Sequence, residues 1–365
     1  MVPDASGVIV GRADVDSFAV FPADGAELLR RLRSGAGVAE AGRWYRKRYG
    51  EPVDMDDFLD TLRELEFVRA PGEAGTEGVR PGWQRMGRVA FSWPAWLGYL
   101  AVGGWALCLV ARVPHLRPSH DDFFFTPSLL VMELGLFFGQ LPGILFHEAM
   151  HTLAGRRLGV RTRLRLGNRL HLLVFETHLN GLWSVPRRRR YLPLLAGMVG
   201  DVLWWSALTI LAWLTGFGYL LALALSTLLR LVWQFYFYLR TDVYQVLVTA
   251  LGCVDLHRTT REYLANRLRR RARHDETRWH PRDRQVARWY AHFFVWGYVF
   301  TLGVFAWIGV PFAVRVLTGI VERVRDGDAF SPRFLDGLVT FVLNFVPLVI
   351  VAVMVLRRRG KERNV

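Results

Sequence analysis

Two histidines and a glutamate in one short segment, His147-Glu148-Ala-Met-His151, have the residue types and spacing of a metal-dependent hydrolytic site. On a helix, residues four apart lie one turn apart on the same face, so both imidazoles can reach one ion. Glu148 between them has the position of a general base in this pattern. Zinc lowers the pKa of water from ~15.7 to about 7, and a carboxylate can then take its proton as it attacks a carbonyl.

The motif closes an apolar run, residues 126–146, that is long enough to enter a membrane. Ionisable side chains are costly at such a depth, roughly 2.5–3.5 kcal/mol for a central charged residue. Three of them in five residues need a compensating partner, and a divalent cation supplies one. We therefore predict a zinc site, with a structural hydrogen-bond cluster as the alternative.

A catalytic zinc site takes three protein ligands, so a third must come from elsewhere in the chain. Asp242 follows an apolar run that travels in the same direction as the run ending in the motif, so it arrives at a similar height. Asp201 begins a run that leaves the same membrane face, so its depth is also compatible with a ligand role. Its other possible role is to orient a histidine ring. Further candidates lie in or after the polar segments: His171, Glu176, His178 and Asp255.

The composition excludes an ordinary soluble enzyme. The 365 residues are 52% hydrophobic and include 14 Trp and 24 Phe. The net charge of +15 does not indicate nucleic-acid binding, because the arginines gather between apolar runs, where they suit anionic lipid headgroups. Cys108 and Cys253 predict no disulfide framework. The first ~80 residues lack the basic and apolar pattern of a cleavable signal peptide.

The elements that must position the motif are membrane helices. Six apolar runs predict six spans: 93–111, 126–146, 192–214, 217–239, 290–310 and 335–356. With six crossings, the arginine-rich segments 156–190 and 258–288 and the basic tail fall on one side, which the positive-inside rule makes cytoplasmic. We expect a multi-pass cell-membrane protein with both termini cytoplasmic and the motif near the cytoplasmic end of the second span.

The amino-terminal residues have a different pattern. Two short strands, 8–10 and 17–21, precede three amphipathic helices near residues 24–32, 38–49 and 56–65. This order resembles the PqqD-like winged-helix domains that bind the leader of a ribosomally made precursor peptide. The resemblance implies a peptide-docking domain that takes an extended strand at its sheet edge. A winged-helix domain that only regulates or docks a partner is the alternative.

Within residues 129–261 the chain resembles the site-2 protease family of intramembrane zinc metalloproteases, in its peptide zinc metalloprotease branch. The resemblance rests on His147-Glu-x-x-His151 and on Arg240-Thr-Asp-Val-Tyr244 downstream. It implies that His147, His151 and Asp242 are zinc ligands and that Glu148 is the catalytic base. Thr241 and Val243 depart from the Leu and Gly usual around the aspartate, and His178 stands where the branch has a loop aspartate.

The sequence thus predicts a mainly α, polytopic membrane protein of about six spans with a small winged-helix α+β domain. The predicted parts are a docking domain (1–70), a linker (71–92) and a membrane metalloprotease domain (93–365). The expected cofactor is Zn²⁺, and the expected partners are a precursor peptide and the lipid bilayer, with no nucleic acid. A membrane transporter or immunity protein with a structural metal site is the alternative function. The oligomeric state stays open.

Overall fold

The computed structural model describes residues 1–4, 7–12, 15, 17–68, 82–160, 162–169, 172–178, 180–268, 274–328 and 330–363. The described chain is mainly helical, and its longest helices are apolar. A small antiparallel sheet stands at the amino terminus. The prediction of a mainly α membrane protein is confirmed at this level.

The amino-terminal region folds as the pattern of its sequence indicates. Three antiparallel strands in the order β1-β2-β3 precede three helices: β1 (Val2–Asp4), β2 (Gly7–Arg12), β3 (Ser17–Phe21), α1 (Ala23–Arg33), α2 (Val38–Tyr49) and α3 (Met55–Glu64). A core of Val10, Phe21, Ala26, Leu29 and Leu62 joins the sheet to α1 and α3. The strand β1 adds to the predicted hairpin. Its short Val-Pro-Asp segment carries no alternation that could have indicated a strand.

Ten further α-helices follow among the described residues. They are α4 (Gln84–Ala90), α5 (Trp93–Arg112), α6 (Leu129–Arg157), α7 (Arg187–Thr215), α8 (Gly218–Trp233), α9 (Asp242–Leu251), α10 (Leu256–Leu268), α11 (Pro281–Val304), α12 (Val310–Asp326) and α13 (Pro332–Arg363). A π-helical turn, Phe305–Gly309, joins α11 to α12.

Four helices among the described residues are long and apolar enough to cross a membrane. They are Trp93–Arg112, Leu129–Arg157, Arg187–Thr215 and the continuous stretch Pro281–Arg325. Many of their large apolar side chains are exposed, as contact with lipid requires. The total of six spans and the orientation of the termini stay predictions.

The predicted fourth span, 217–239, is shorter in the structure than in the sequence. Helix α8 ends at Trp233 after 16 residues, and Asp242 begins α9 instead of closing the preceding helix. The chain turns between them, with Arg240 in the left-handed region (φ 60°). The turn is rich in aromatic residues, so hydropathy alone does not reveal the break. As a result, Asp242 stands at a helix amino terminus.

The basic segment between α6 and α7, predicted as a loop, contains a β-hairpin. Strands β4 (Arg163–Arg169) and β5 (Leu172–His178) pair antiparallel, with Arg163 opposite His178. The alternation of Arg and Leu in β4 is the period-two signal of a strand, although its arginines favoured the loop interpretation. The hairpin links the helix that carries the histidine motif to the helix that follows.

Contacts between residues divide the chain into two compact units. The first comprises Met1–Ala101, Ile144–Val202 and Leu231–Val295, and the second comprises Val102–Gly143, Leu203–Arg230 and Trp296–Val365. In the second unit, Asp336 of α13 accepts hydrogen bonds from the Leu129 and Leu130 amides at the start of α6 and from Arg323 of α12. The boundaries 1–70, 71–92 and 93–365 stay predictions, since residues 69–81 lie outside the described part.

Candidate metal centre

Helix α6 presents the two histidines of the motif to one point. His147 and His151 lie one turn apart, are 6% and 4% exposed, and have their Nε2 atoms 3.1 Å from each other. The spacing of four residues is what brings the two rings onto one face. The pairing predicted from the sequence is therefore present in the geometry.

Helix α7 fixes the orientation of both rings and the tautomer of their neutral forms. The Nδ1 atom of His147 lies 2.9 Å from a carboxylate oxygen of Asp201, which is fully buried. The Nδ1 atom of His151 lies 2.7 Å from the backbone carbonyl oxygen of Pro193. A carbonyl and a carboxylate only accept hydrogen bonds, so each Nδ1 carries the proton. In the neutral form of each ring, Nε2 is then the nitrogen with the lone pair, and the two Nε2 atoms face each other.

Asp242 completes the group from the start of α9. One of its carboxylate oxygens, Oδ2, lies 3.2 Å from the Nε2 atom of His147 and 3.2 Å from that of His151. Two hydrogen bonds to Gln234 hold the turn that leads there. The Thr241 hydroxyl donates to the Gln234 backbone carbonyl (2.6 Å), and the Asp242 amide donates to the Gln234 side-chain carbonyl (3.1 Å). The positive end of the α9 dipole favours the carboxylate.

Local charge keeps Asp242 ionised. Burial raises the pKa of this carboxyl group, but the neighbouring His151 and His147 lower it more, and the net shift is downward. A carboxylate binds a cation only in its deprotonated form. Asp242 therefore contributes an anionic oxygen to the group.

The spacing of the three converging atoms suits a small metal ion in tetrahedral geometry, with zinc as the reference case. Zinc bonds of about 2.0–2.1 Å in tetrahedral geometry place ligand atoms about 3.3 Å apart, and the distances here are 3.1–3.2 Å. No proton lies between these atoms when both rings are neutral, so without a cation their lone pairs repel one another. His147, His151 and Asp242 are the set that could hold a metal ion within the described part of the chain.

Glu148 lies beside this group without contributing one of its three ligand atoms. Its side chain is half-buried and contributes negative charge near His151. A carboxylate next to a metal position, and outside its ligand set, is suited to taking a proton.

Helix α7 also makes room for the imidazoles, through Gly197. A Cβ atom at this position would lie 2.3 Å from His151 Nε2 and 2.4 Å from His147 Nε2. No side chain larger than hydrogen fits there without displacing the rings. At Gly200, one turn further along, a Cβ would lie 3.0 Å from Met150 Cγ and 3.4 Å from His147 Cα. Gly197 is thus part of the metal centre although it has no ligand atom.

Comparisons with known proteins identify no relative of this chain. No protein-family model, curated protein or solved structure matches this chain.

The other candidates named from the sequence have different outcomes. His178 ends β5, but its side chain, like that of Glu176 on the same strand, lies outside the described residues, as does His171 entirely. Asp255 precedes α10, where its amide donates to Asp283. The sequence allowed Asp201 to be either a metal ligand or a residue that orients a histidine. In the structure its carboxylate contacts the Nδ1 atom of His147.

Three contributors were not recognised from the sequence. Pro193 acts through its carbonyl oxygen, which every residue has, so no side-chain pattern could indicate it. Gln234 acts at a chain break that hydropathy does not reveal. Gly197 did carry a signal, because a glycine in an apolar helix often marks a close approach between elements.

Proposed function

We propose that the chain is a membrane-embedded zinc metalloendopeptidase that cleaves a peptide near the cytoplasmic membrane face. The observation that carries this proposal is the convergence of His147 Nε2, His151 Nε2 and Asp242 Oδ2 at 3.1–3.2 Å, with the Glu148 carboxylate beside them. The resemblance of the motif segments to site-2 proteases agrees with it.

Each residue has a separate task in this proposal. His147, His151 and Asp242 would hold the zinc, which supplies a Lewis acid and lowers the pKa of water. Asp201 and the Pro193 carbonyl accept hydrogen bonds from the two Nδ1 atoms, so in the neutral rings Nε2 is the nitrogen that can bind the metal. Glu148 takes the proton of the attacking water and returns it to the leaving amine.

The position of the histidines on α6 supports cleavage close to one membrane face. His151 precedes the end of α6 at Arg157 by six residues, or about 9 Å along the helix axis. A substrate must be locally extended there, because a helix holds its carbonyl groups in its own hydrogen bonds.

The amino-terminal domain is the proposed docking site for a precursor peptide, whose maturation or leader removal would be the biological reaction. Strands β2 and β3 contact the turn Asn180–Ser184, which directly precedes α7. A peptide held by this domain would be close to the helix that carries Gly197 and Asp201. Docking then raises its effective concentration at the metal centre.

Glu148→Gln separates proteolysis from a structural metal site. Full-length wild-type and variant proteins would be reconstituted in vesicles with a mixture of peptides of known sequence, and products identified by mass spectrometry. We expect the variant to keep its zinc and to lose cleavage by at least about 10²-fold, the usual contribution of a general base. Equal cleavage by both proteins, or none by wild type with zinc bound, would favour a transporter or immunity protein with a structural metal.

A further inference from the structure

A polar cavity lies where α6 ends and α7 begins. It has a volume of about 360 Å³, within the ~300–1,000 Å³ of sites that bind small molecules. Its lining includes the polar residues Gln84, Arg157, Ser184 and Arg189, together with residues 158–160. Its lining contains two cationic residues and no acidic one.

The two cavity arginines differ from their neighbours in the chain. Arg156 donates to Thr162 Oγ1 and to the Gly82 carbonyl, and Arg190 donates to the Val185 and Trp183 carbonyls. Among the described residues, the guanidinium groups of Arg157 and Arg189 have no hydrogen-bond or ion-pair partner. Arg156 and Arg190 thus stabilise the fold, whereas Arg157 and Arg189 have their donors available for a ligand.

Exposed side chains place this cavity at the level of lipid headgroups. Trp83 immediately precedes the short helix α4, and Met86 and Val89 lie within it. Their side chains are 62%, 50% and 68% exposed. Trp93, 73% exposed, begins the membrane-spanning helix that follows. Exposed tryptophans are typical of the membrane–water interface. Gln84, in the same short helix, lines the cavity.

We propose that this cavity binds the phosphate of an anionic phospholipid headgroup. Two guanidinium groups without partners in the described part of the chain offer paired N–H donors to phosphate oxygens, and the Gln84 amide adds a neutral donor. Basic cavities between membrane helices at the headgroup level bind anionic lipids elsewhere. Soluble phosphate has the same chemistry, but the adjoining interfacial helix favours the lipid. This site is independent of the proposed proteolysis, since none of its residues belongs to the metal centre.

The test uses full-length, delipidated protein in a neutral detergent. Short-chain phosphatidylglycerol, phosphatidylcholine with the same chains, and inorganic phosphate are titrated separately, and binding is read by native mass spectrometry. We expect one saturable phosphatidylglycerol per chain, weaker binding of the other two, and at least tenfold weaker phosphatidylglycerol binding for the double variant Arg157→Gln/Arg189→Gln.

Two further variants make the result decisive. Arg85→Gln/Arg88→Gln removes the same charge from exposed positions of α4 outside the cavity, and we expect it to bind within twofold of wild type. Gln84→Glu keeps both arginines and puts a carboxylate into the cavity, so it should also weaken binding, even if the double variant does not fold. Wild-type affinity in the cavity variants, an equal loss in Arg85→Gln/Arg88→Gln, or tighter binding of inorganic phosphate than of phosphatidylglycerol would overturn the proposal.

Discussion

The Nε2 atoms of His147 and His151 lie 3.1 Å apart. Each ring donates its Nδ1 proton to an acceptor on α7, the Asp201 carboxylate or the Pro193 carbonyl. When both rings are neutral, the two Nε2 atoms and the Asp242 oxygen present lone pairs to the same point. A cation bound at that point removes the repulsion between the lone pairs.

Asp242 is expected to be the third ligand. Asp242→Ala should strip the zinc almost completely, because a site of two histidines holds the metal weakly. Asp201→Ala should lower affinity by about 10–100-fold, the usual effect of losing an orienting partner, and His178→Ala should keep full zinc. The measurement is zinc per protein after dialysis against a weak chelator. Full zinc in Asp242→Ala, with either other variant stripped, would contradict this assignment.

Gly197→Ala should abolish metal binding although alanine favours helices more than glycine does. Its Cβ would lie 2.3–2.5 Å from three atoms of the two imidazoles and would force the rings apart. Gly200→Ala is the matched control on the same helix, because its Cβ would contact Met150 and not the ring nitrogens. Zinc content and circular dichroism measured on both variants separate loss of metal from loss of fold. Wild-type zinc in folded Gly197→Ala would contradict the geometry.

Metal removal should destabilise the protein. A ligand that binds only the folded state stabilises it by about 4.1 kcal/mol at a thousandfold excess over its Kd, so a strong chelator should lower the melting temperature of wild-type protein. Added zinc should restore it, whereas Asp242→Ala should respond to neither treatment. The measurement is a thermal melt of the detergent-solubilised chain. A wild-type melting temperature that changes with neither chelator nor zinc would contradict a bound metal.

A fragment of residues 1–70 should fold alone and bind peptide. Its core of Val10, Phe21, Ala26, Leu29 and Leu62 joins strands and helices within this segment. Leu62→Asp, which buries a charge in that core, is the control and should be unfolded. Circular dichroism tests folding, and calorimetry with a candidate precursor peptide tests docking. A folded fragment without affinity at high micromolar concentration would argue for a regulatory role.

The sequence predicted the elements whose patterns are local and missed those that depend on tertiary context. The four-residue spacing of His147 and His151 sufficed to place both rings on one face. Asp242 was predicted to lie near the histidines because it was expected to close the fourth span at a similar depth. It does lie near them, but it begins a helix after a chain break that hydropathy does not reveal. The roles of Pro193 and Gly197 arise only when α7 packs against α6, so residue type alone could not assign them.

Elemental analysis of the purified full-length chain tests the central claim most directly. Wild-type protein, His147→Ala and Glu148→Gln would be compared by zinc per chain, with circular dichroism to confirm that each is folded. We predict close to one zinc in wild type and in Glu148→Gln, since Glu148 contributes none of the three ligand atoms, and almost none in folded His147→Ala. Equal zinc in wild type and His147→Ala, or no transition metal in any of the three, would contradict the metal centre.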